Sequence, residues 1–492
     1  MESEFNKNRF AITSIIYATL LLDNILLTVI VPILPDYLAS FATKNDSNGL
    51  YKNFDHYIPN SMLNKHPLAG NSIKNVTKEI QQQMHYGNEF NVEMENGKVG
   101  FLLAIKAFVQ LFFNPVCGNL SKKFGYKNII FFGTINLLLA SLFFAMGTSF
   151  LMLLLARAIE GIGSSCINVC GMSLIASLYL EDQKRSKVMG IILGSIALGV
   201  LFGYPLGSLL YDFVSESAPF IIISAFLITD LAFQLTFFNL MRNENELNDE
   251  ENRMVDGNSQ WLQLLSNKMI FSITLAIFMS TAAMAILEPL LPIWLISHLR
   301  PKKWQLGTVF IPDSMGYFIG TNFFGSFSFK VGQIKMSVLA LMCVGISSTI
   351  IPEAKTVSSL IIPHFCLGLG IGILDTSLVP YLARLTDSIT QKCDESCEEN
   401  DIPSNYGSVY AIQQTAVSLA YSIVPFMAGE MVESMGFKTI MRLLGICNFI
   451  YGPLLLFITI KHNLNNTAAK QPDLLLKETN PSDYRRFYNS IE

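Results

Sequence analysis

The chain has 492 residues, of which 51% are hydrophobic and 15% are charged, and its mean hydropathy is +0.40. Soluble domains carry about 25% charged residues, so this composition excludes an ordinary soluble protein and predicts an all-α polytopic membrane protein. The net charge of −4 comes without a basic, aromatic-interleaved patch, a nucleophile–base set, a phosphate loop or a metal-ligand cluster, which excludes nucleic-acid-binding proteins and gives no support to an enzyme.

The first apolar run extends from Phe10 to near Leu38 and carries Asp23 at its middle. A helix needs roughly 20 apolar residues to cross a bilayer, so this run is long enough to span and too long for a cleaved signal peptide. An ionised carboxylate at mid-depth costs roughly 2.5–3.5 kcal/mol on insertion scales. Asp23 therefore either faces a water-filled cavity and binds a ligand there, or stays neutral or paired within the helices.

Twelve apolar runs follow one another along the chain, and a hydrophilic segment at 241–268 separates the first six from the last six. This arrangement predicts the major facilitator fold, with two six-helix halves. The runs cover residues 10–38, 98–119, 127–148, 150–178, 187–211, 218–240, 269–297, 305–327, 334–353, 357–384, 406–430 and 437–460. The predicted parts are an N-terminal half (1–240) with a large luminal loop (39–97), a cytoplasmic central loop (241–268), a C-terminal half (269–461) and a cytoplasmic tail (462–492).

Lysine and arginine in the short loops fall on one side of the predicted membrane, which is the pattern of cytoplasmic loops. Both termini are therefore predicted to be cytoplasmic. The opposite side carries the first loop, which contains acceptor sequons at Asn45 and Asn75. Because both sequons lie on the luminal side, we expect glycosylation at these two asparagines.

Ionisable residues inside the spans are the main functional signal. Unpaired in lipid, they would cost on the order of 20 kcal/mol, so they must pair or converge on an internal cavity. Arg157 and Glu160 lie three residues apart and can pair on one helix, either as a structural pair or as part of a wider network. The complete set is Asp23, Lys106, Arg157, Glu160, Asp230, Glu288, Asp313 and Asp375.

The sequence predicts specific partners or positions for two more members of this set. Lys106 is the lone interior cation of the second span, so it should bridge to an acid on a facing helix. Asp230 lies late in the sixth span, where it either joins the charge network or extends to the membrane surface.

Glu288 and Asp375 lie beside helix-breaking residues. Glu288 precedes Pro289 and Pro292, and Asp375 follows a Gly-Ile-Gly sequence. Transporters place binding groups where Gly or Pro interrupts a span. Burial of a carboxylate favours its protonated form, which is the physical requirement for proton coupling. The alternative is a packing role for both residues.

Several strings in the spans match the pattern of one transporter family; they are Leu22–Pro35, Arg157–Ser165, Leu287–Trp294, Lys303–Gly307, Tyr317–Asn322 and Tyr406–Ile412. Through these strings the chain resembles the vesicular amine transporters, which load monoamines or acetylcholine into secretory vesicles. The resemblance covers nearly all spans and excludes most of the first loop, the central loop and the tail. It implies the major facilitator fold and an exchange of luminal protons for a cytoplasmic amine.

The resemblance also implies roles for single residues. Asp23 would bind the amine cation with Asn24 beside it, and Lys106 would organise the second span against the C-terminal half. Glu288 and Asp375 would take part in amine binding and proton coupling.

Three aromatic residues would line or gate the cavity by the same resemblance, where an ammonium makes cation–π contacts worth up to about 2 kcal/mol. The alternative for each of them is core packing. They are Trp294, Tyr317 and Tyr421.

The chain departs from the family pattern at several positions. The acid that the family carries in span eleven, where it pairs with the span-two lysine, is Gln414 here, so Lys106 needs another partner, with Asp23 or Asp375 as candidates. Asp313 is an extra acid in span eight. The luminal cysteines of the monoamine branch are absent, and Cys393 and Cys397 stand in a hydrophilic loop without the further ligands that a metal site requires.

The resulting hypothesis is a proton-coupled antiporter that loads a monoamine into acidic secretory or synaptic vesicles by alternating access. It requires protons as coupling ions, no cofactor, a lipid bilayer and a single copy of the chain. A second hypothesis keeps this mechanism with acetylcholine, a polyamine or another organic cation as cargo. A third is a membrane receptor that binds the ligand without transporting it.

Overall fold

The computed structural model describes residues 2–46, 101–147, 149–240, 264–299, 308–394 and 406–478. Within these ranges the chain forms twelve long α-helices and two short 3₁₀ segments, with no strand. The first six helices are α1 (Glu2–Asp46), α2 (Phe101–Phe124), α3 (Tyr126–Ala145), α4 (Phe150–Leu178), α5 (Asp182–Phe213) and α6 (Ala218–Leu240). The last six are α7 (Lys268–Leu299), α8 (Ile311–Val331), α9 (Gln333–Ile350), α10 (Ile361–Asp394), α11 (Tyr406–Met435) and α12 (Phe437–Glu478).

The helices follow the predicted apolar runs in number and order. Ten of them, all except α8 and α11, are long and apolar enough to cross a membrane. Three helices continue well past the predicted spans: α1 into the predicted first loop, α10 beyond residue 384 to Asp394, and α12 into the predicted tail. Hydropathy marks the part of a helix that lipid can cover, whereas the backbone hydrogen-bond ladder continues through polar residues. The rest of the first loop and nearly all of the central loop lie outside the described residues.

The two sets of six helices pack in the same way, which confirms the predicted two-half architecture. In the first set α1 packs against α5 and α6, and α3 packs against α4 and α6. In the second set α7 packs against α11 and α12, and α9 packs against α10 and α12. Each pair in one half thus has a counterpart six helices later, as expected for an internal repeat.

The halves meet through α5 against α8 and α10, and through α2 and α4 against α11. Close approach depends on small residues, because a Cβ added at Gly118 of α2 would lie 2.7 Å from the Ala411 Cβ of α11. Farther along the same contact, the Asn114 Nδ2 donates a hydrogen bond of 3.0 Å to the Ser418 Oγ. Polar side chains on the inner faces of these helices are thereby enclosed between the halves.

Candidate functional site: two clusters of buried charge

Four charged side chains form one cluster in the N-terminal half, here called the N-half charge cluster: Asp23, Lys106, Arg157 and Glu160. Its centre is Glu160, whose carboxylate lies 2.9 Å from the Lys106 Nζ and 2.8 Å from the Arg157 Nη1. The Lys106 Nζ also lies 3.3 Å from the Asp23 Oδ1. All four side chains are buried, and two acids balance two cations.

Lys106 thus has two acidic partners, and both come from its own half. The pairing with Asp23 confirms one of the two candidates, and the alternative partner, Asp375, is wrong. Glu160 was expected to pair with Arg157, and the structure confirms that contact, but it also makes Glu160 the nearer counter-ion of Lys106. The sequence alone shows only that Arg157 and Glu160, three residues apart, share a helix face. It does not show that the helix carrying Lys106 lies opposite that face.

Asp23 has neutral partners in addition to Lys106, and these were missed in the sequence. The Ser164 hydroxyl donates a hydrogen bond to its Oδ1, and the Asn168 Nδ2 donates one of 3.2 Å to its Oδ2. Ser164 and Asn168 lie one turn apart on α4, so both reach the same carboxylate. Two polar residues four apart in an apolar span are the signal that could have found them. Every Asp23 oxygen is therefore already engaged within the N-terminal half.

Arg157 is anchored by two further contacts. Its Nη2 donates a hydrogen bond of 3.1 Å to the Leu27 carbonyl of α1. Its guanidinium carbon lies 5.7 Å from the centroid of the Phe144 ring, a cation–π contact. Arg157 therefore ties α4 to α1 and α3 as well as balancing charge.

The C-terminal half contains three buried or half-buried acids, here called the C-half acid cluster: Glu288, Asp313 and Asp375. The Tyr317 hydroxyl donates a hydrogen bond of 2.9 Å to the Asp375 Oδ2, and the Tyr421 hydroxyl lies 3.5 Å from the Glu288 Oε1. Asp313 is 6% exposed, and its Oδ1 has no hydrogen-bond donor. No cation pairs with these three acids within the described part of the chain.

Glu288 and Asp313 lie within electrostatic range of each other, and all three acids lie within range of Tyr421. The charge of Glu288 acts on Asp313, and both charges act on Tyr204 and on Tyr421. Carboxylates gathered in this way without a cation repel one another and are costly to desolvate. The C-half acid cluster can therefore take up a positively charged ligand, protons or both.

Local sequence places these groups where helices are interrupted or closely packed. Pro289 follows Glu288 within α7, and a proline inside a helix leaves a backbone carbonyl without its usual donor. Gly368 of α10 leaves room for Asp313, because a Cβ at this glycine would lie 2.7 Å from the Asp313 Oδ1. The Gly and Pro pattern of the sequence thus identifies the helix segments that carry these acids.

Two residues expected in the cavity have other positions. The Asn24 amide donates to the Leu20 carbonyl of its own helix, and its Cβ packs against Gly199 of α5, away from the Asp23 partners. Trp294 stacks on Phe437 of α12 and on His298, each with ring centroids 5.3 Å apart. The structure therefore gives Trp294 the core-packing role and places Tyr317 and Tyr421 beside the acids.

Asp230 and Gln414 lie apart from both clusters. Asp230 is buried and accepts hydrogen bonds of 2.7 Å from the Thr19 hydroxyl and 2.8 Å from the Gln234 amide, so it joins α6 to α1 and does not extend to the membrane surface. The Gln414 carbonyl accepts a hydrogen bond from Ser418, and its side chain makes no contact with Lys106 in the described structure. Asn75 and the side chain of Asn45 lie outside the described residues.

A third group of charges, here called the end latch, joins the halves at the end where α5 begins and α10 ends. Arg185 of α5 is 1% exposed, and its Nη1 lies 2.9 Å from the Asp387 Oδ2 of α10 and 3.3 Å from the Tyr406 hydroxyl of α11. Its Nη2 pairs with Asp182, which also lies 3.4 Å from the Arg384 Nε. In the sequence Arg185 served only as a marker of a cytoplasmic loop, because its cross-half partners are about 200 residues away.

Comparison with known proteins agrees with this architecture. The family model described as Major Facilitator Superfamily matches residues 14–390. The crystal structure of the human organic anion transporter MFSD10 (TETRAN) superposes with a TM-score of 0.67 at 16% sequence identity, covering 91% of this chain and 99% of that one. At that identity, the likeness concerns the fold alone.

Relatives with higher sequence identity assign the chain to a smaller family within this superfamily. The chain is 35% identical to the human synaptic vesicular amine transporter, over 92% of this chain and 89% of that protein. It is 32% identical to the rat chromaffin granule amine transporter, over 98% and 93% of the two chains. It is 29% identical to the vesicular acetylcholine transporter of Tetronarce californica, over 96% and 84%. The protein is therefore a member of the major facilitator superfamily and, within it, of the family of vesicular amine and acetylcholine transporters.

Proposed function

We propose that this multi-pass membrane protein is a proton-coupled antiporter that loads an organic amine cation, in the first instance a monoamine, from the cytoplasm into acidic secretory or synaptic vesicles. The observation that carries the proposal is the C-half acid cluster, where three acids share an interior region and no cation among the described residues neutralises them. An ammonium and protons neutralise such acids by turns, so binding of one favours release of the other.

The proposed division of roles follows the contacts. Asp375 and Glu288, with the hydroxyls of Tyr317 and Tyr421, bind the ammonium and exchange protons. For Asp23 to contribute to amine binding, the amine must share this carboxylate with Lys106, Ser164 and Asn168. The N-half charge cluster then positions α1, α2 and α4 around the cavity.

The driving force is sufficient for accumulation. Each pH unit across the membrane supplies about 1.4 kcal/mol per proton. Each elementary charge that crosses 100 mV supplies about 2.3 kcal/mol. We place both termini on the cytoplasmic side, which puts the end latch there as well. Its opening and closing are then one half of the alternating-access cycle.

The direct test is uptake of labelled serotonin into proteoliposomes that contain the purified chain and an acidic interior. We expect accumulation that stops when the pH gradient is collapsed. The Asp375→Asn variant serves as an inactive control with the same size-exclusion profile. Amine binding without gradient-driven uptake would favour a non-transporting receptor and contradict the proposal.

A second cargo is favoured by two specific features of this chain. Gln414 provides no acid on α11, and Asp313 adds one on α8, so the interior charge is distributed differently from the family pattern. The position of Asp313 bears directly on the charge of the cargo.

A further inference from the structure

Among the buried acids of the described structure, Asp313 is the one whose side chain has neither a hydrogen bond nor an ion pair. It lies in the first turn of α8, and Gly368 of α10 packs directly against it. Its Oδ1 has no hydrogen-bond donor, and its side chain forms no hydrogen bond and no ion pair with any described residue. A buried carboxylate without any partner is strongly unfavourable, so a bound ligand is the natural source of the missing contacts.

The surroundings of Asp313 suit an organic ammonium group. Glu288 of α7 is its acidic neighbour, and Tyr204 of α5 lies in range of both acids. The Tyr204 ring stacks on Phe310 at a centroid distance of 6.2 Å, which provides aromatic faces beside the acids. His364 of α10 packs edge-on against the Phe310 ring at 5.6 Å. Aromatic faces and carboxylates together are the usual environment of a bound ammonium.

Charge counting points to more than one positive charge on the cargo. The N-half charge cluster is already balanced, with two acids and two cations. A monocation therefore neutralises one of the three acids in the C-half acid cluster, which leaves Asp313 or its neighbours charged. A cargo with two ammonium groups neutralises two of them and leaves one site for a proton.

The arrangement favours an extended cation over a metal ion. No group of three His, Cys, Asp or Glu side chains is close enough to hold a metal among the described residues. Two levels can instead be distinguished along α8, because Asp313 lies one turn before Tyr317, whose hydroxyl binds Asp375 of α10. Four residues of helix rise about 6 Å, which sets the scale of the separation between two ammonium groups.

We infer that Asp313 and Glu288 form a second ammonium-binding level, so that the cargo of this transporter is a diamine or longer polyamine with two protonated amines. One amine binds at the level of Asp375 and Tyr317, and the other at the level of Asp313 and Glu288. The inference rests on the proposed function, because it describes the cargo of the same antiport cycle.

The first experiment needs no variant. Labelled 1,4-diaminobutane and labelled serotonin are offered separately to wild-type proteoliposomes with an acidic interior, and n-butylamine and 1,4-diaminobutane compete against each. We expect gradient-driven uptake of the diamine, and at least tenfold stronger competition by the diamine than by the monoamine of the same length. Equal competition by the two, or serotonin uptake with no transport or competition by the diamine, would overturn the inference and leave the proposed antiport intact.

The second experiment assigns the effect to Asp313. In Asp313→Asn we expect kcat/KM for the diamine to fall at least tenfold more than kcat/KM for serotonin, where serotonin is carried. Asp313→Glu keeps the charge and should retain part of the diamine transport. Glu216→Gln, an exposed acid between α5 and α6, is the matched control. An equal loss for both substrates would assign Asp313 to a common step and refute the second level, whereas absence of uptake of any cation by wild type refutes the antiporter itself.

Discussion

In the N-terminal half, each acid around Lys106 has a cation or an amide as partner, whereas the three members of the C-half acid cluster have only tyrosine hydroxyls or no donor at all within the described residues. Both halves are built from the same arrangement of six helices. The difference therefore lies in the side chains and not in the fold. We therefore propose that the N-half charge cluster is a pre-formed scaffold, and that the C-half acid cluster is the part that binds cations and protons.

This division also accounts for the substitution at Gln414. An acid on α11 would provide a counter-ion for Lys106 from the opposite half, whereas Glu160 provides it from within the same half at 2.9 Å. Contacts inside one half persist when the halves move relative to each other. Lys106 in this chain is therefore expected to stay paired throughout the cycle.

The largest expected effect comes from Glu160→Gln. This change leaves Lys106 and Arg157 with Asp23 as the single nearby acid. Removing one partner from a group of buried, paired charges lowers the free energy of unfolding by about 3–5 kcal/mol. We expect a marked loss of thermal stability, measured on detergent-purified protein, and no detectable uptake. The double variant Glu160→Gln/Lys106→Gln restores charge balance and should recover part of the stability. A double variant less stable than the single one would show that the scaffold interpretation is wrong.

Asp375→Asn is expected to separate transport from stability. The amide keeps the shape of the side chain and removes a buried charge that has no cation, so the melting temperature should stay the same or rise. Gradient-driven amine uptake should fall at least a hundredfold because the proton-exchanging carboxylate is lost. A large drop in melting temperature with this variant would mean that Asp375 is structural, as the Glu160 carboxylate is proposed to be.

Tyr406→Phe tests the end latch, which joins the two halves, whereas each of the two charge clusters lies within one half. The tyrosine hydroxyl donates to the Asp387 Oδ1 at 2.5 Å and accepts from the Arg185 Nη1 at 3.3 Å, so its removal costs two charge-assisted hydrogen bonds, each about 1.5–3 kcal/mol. We expect a moderate change in the uptake rate through a shifted conformational equilibrium, with the amine KM changed less than the rate. An equal change in binding and rate would place Tyr406 at the cargo site instead.

Trp294→Phe should have the smallest effect on transport. Because the Trp294 ring packs between His298 and Phe437, the change leaves a small gap in the core and lowers the melting temperature by a few degrees. The KM for the amine should stay within about twofold, as expected for a site away from the acids. A tenfold rise in KM, measured by initial uptake rates, would contradict this and show that Trp294 lies at the amine-binding cavity.

The span pattern was predictable because each span has to be apolar over its own length, whatever its neighbours are. The runs at 150–178 and 218–240 match α4 and α6, and the paired halves follow from the central hydrophilic segment. Glu288 and Asp375 were also identifiable, since a charge next to a helix interruption is visible in the sequence alone. The extents of α1, α10 and α12 were less certain, because hydropathy does not report where a helix ends.

The sequence by itself determined that eight ionisable groups are buried in a membrane bundle, because hydropathy is a property of each segment along the chain. Only the tertiary structure decided which of them neutralise one another. Lys106 binds Glu160 and Asp23, Asp230 binds Thr19, and Asp313 binds no side chain in the described structure. The physical reason is that an electrostatic partner is set by distance in space, and that distance depends on which helix faces meet.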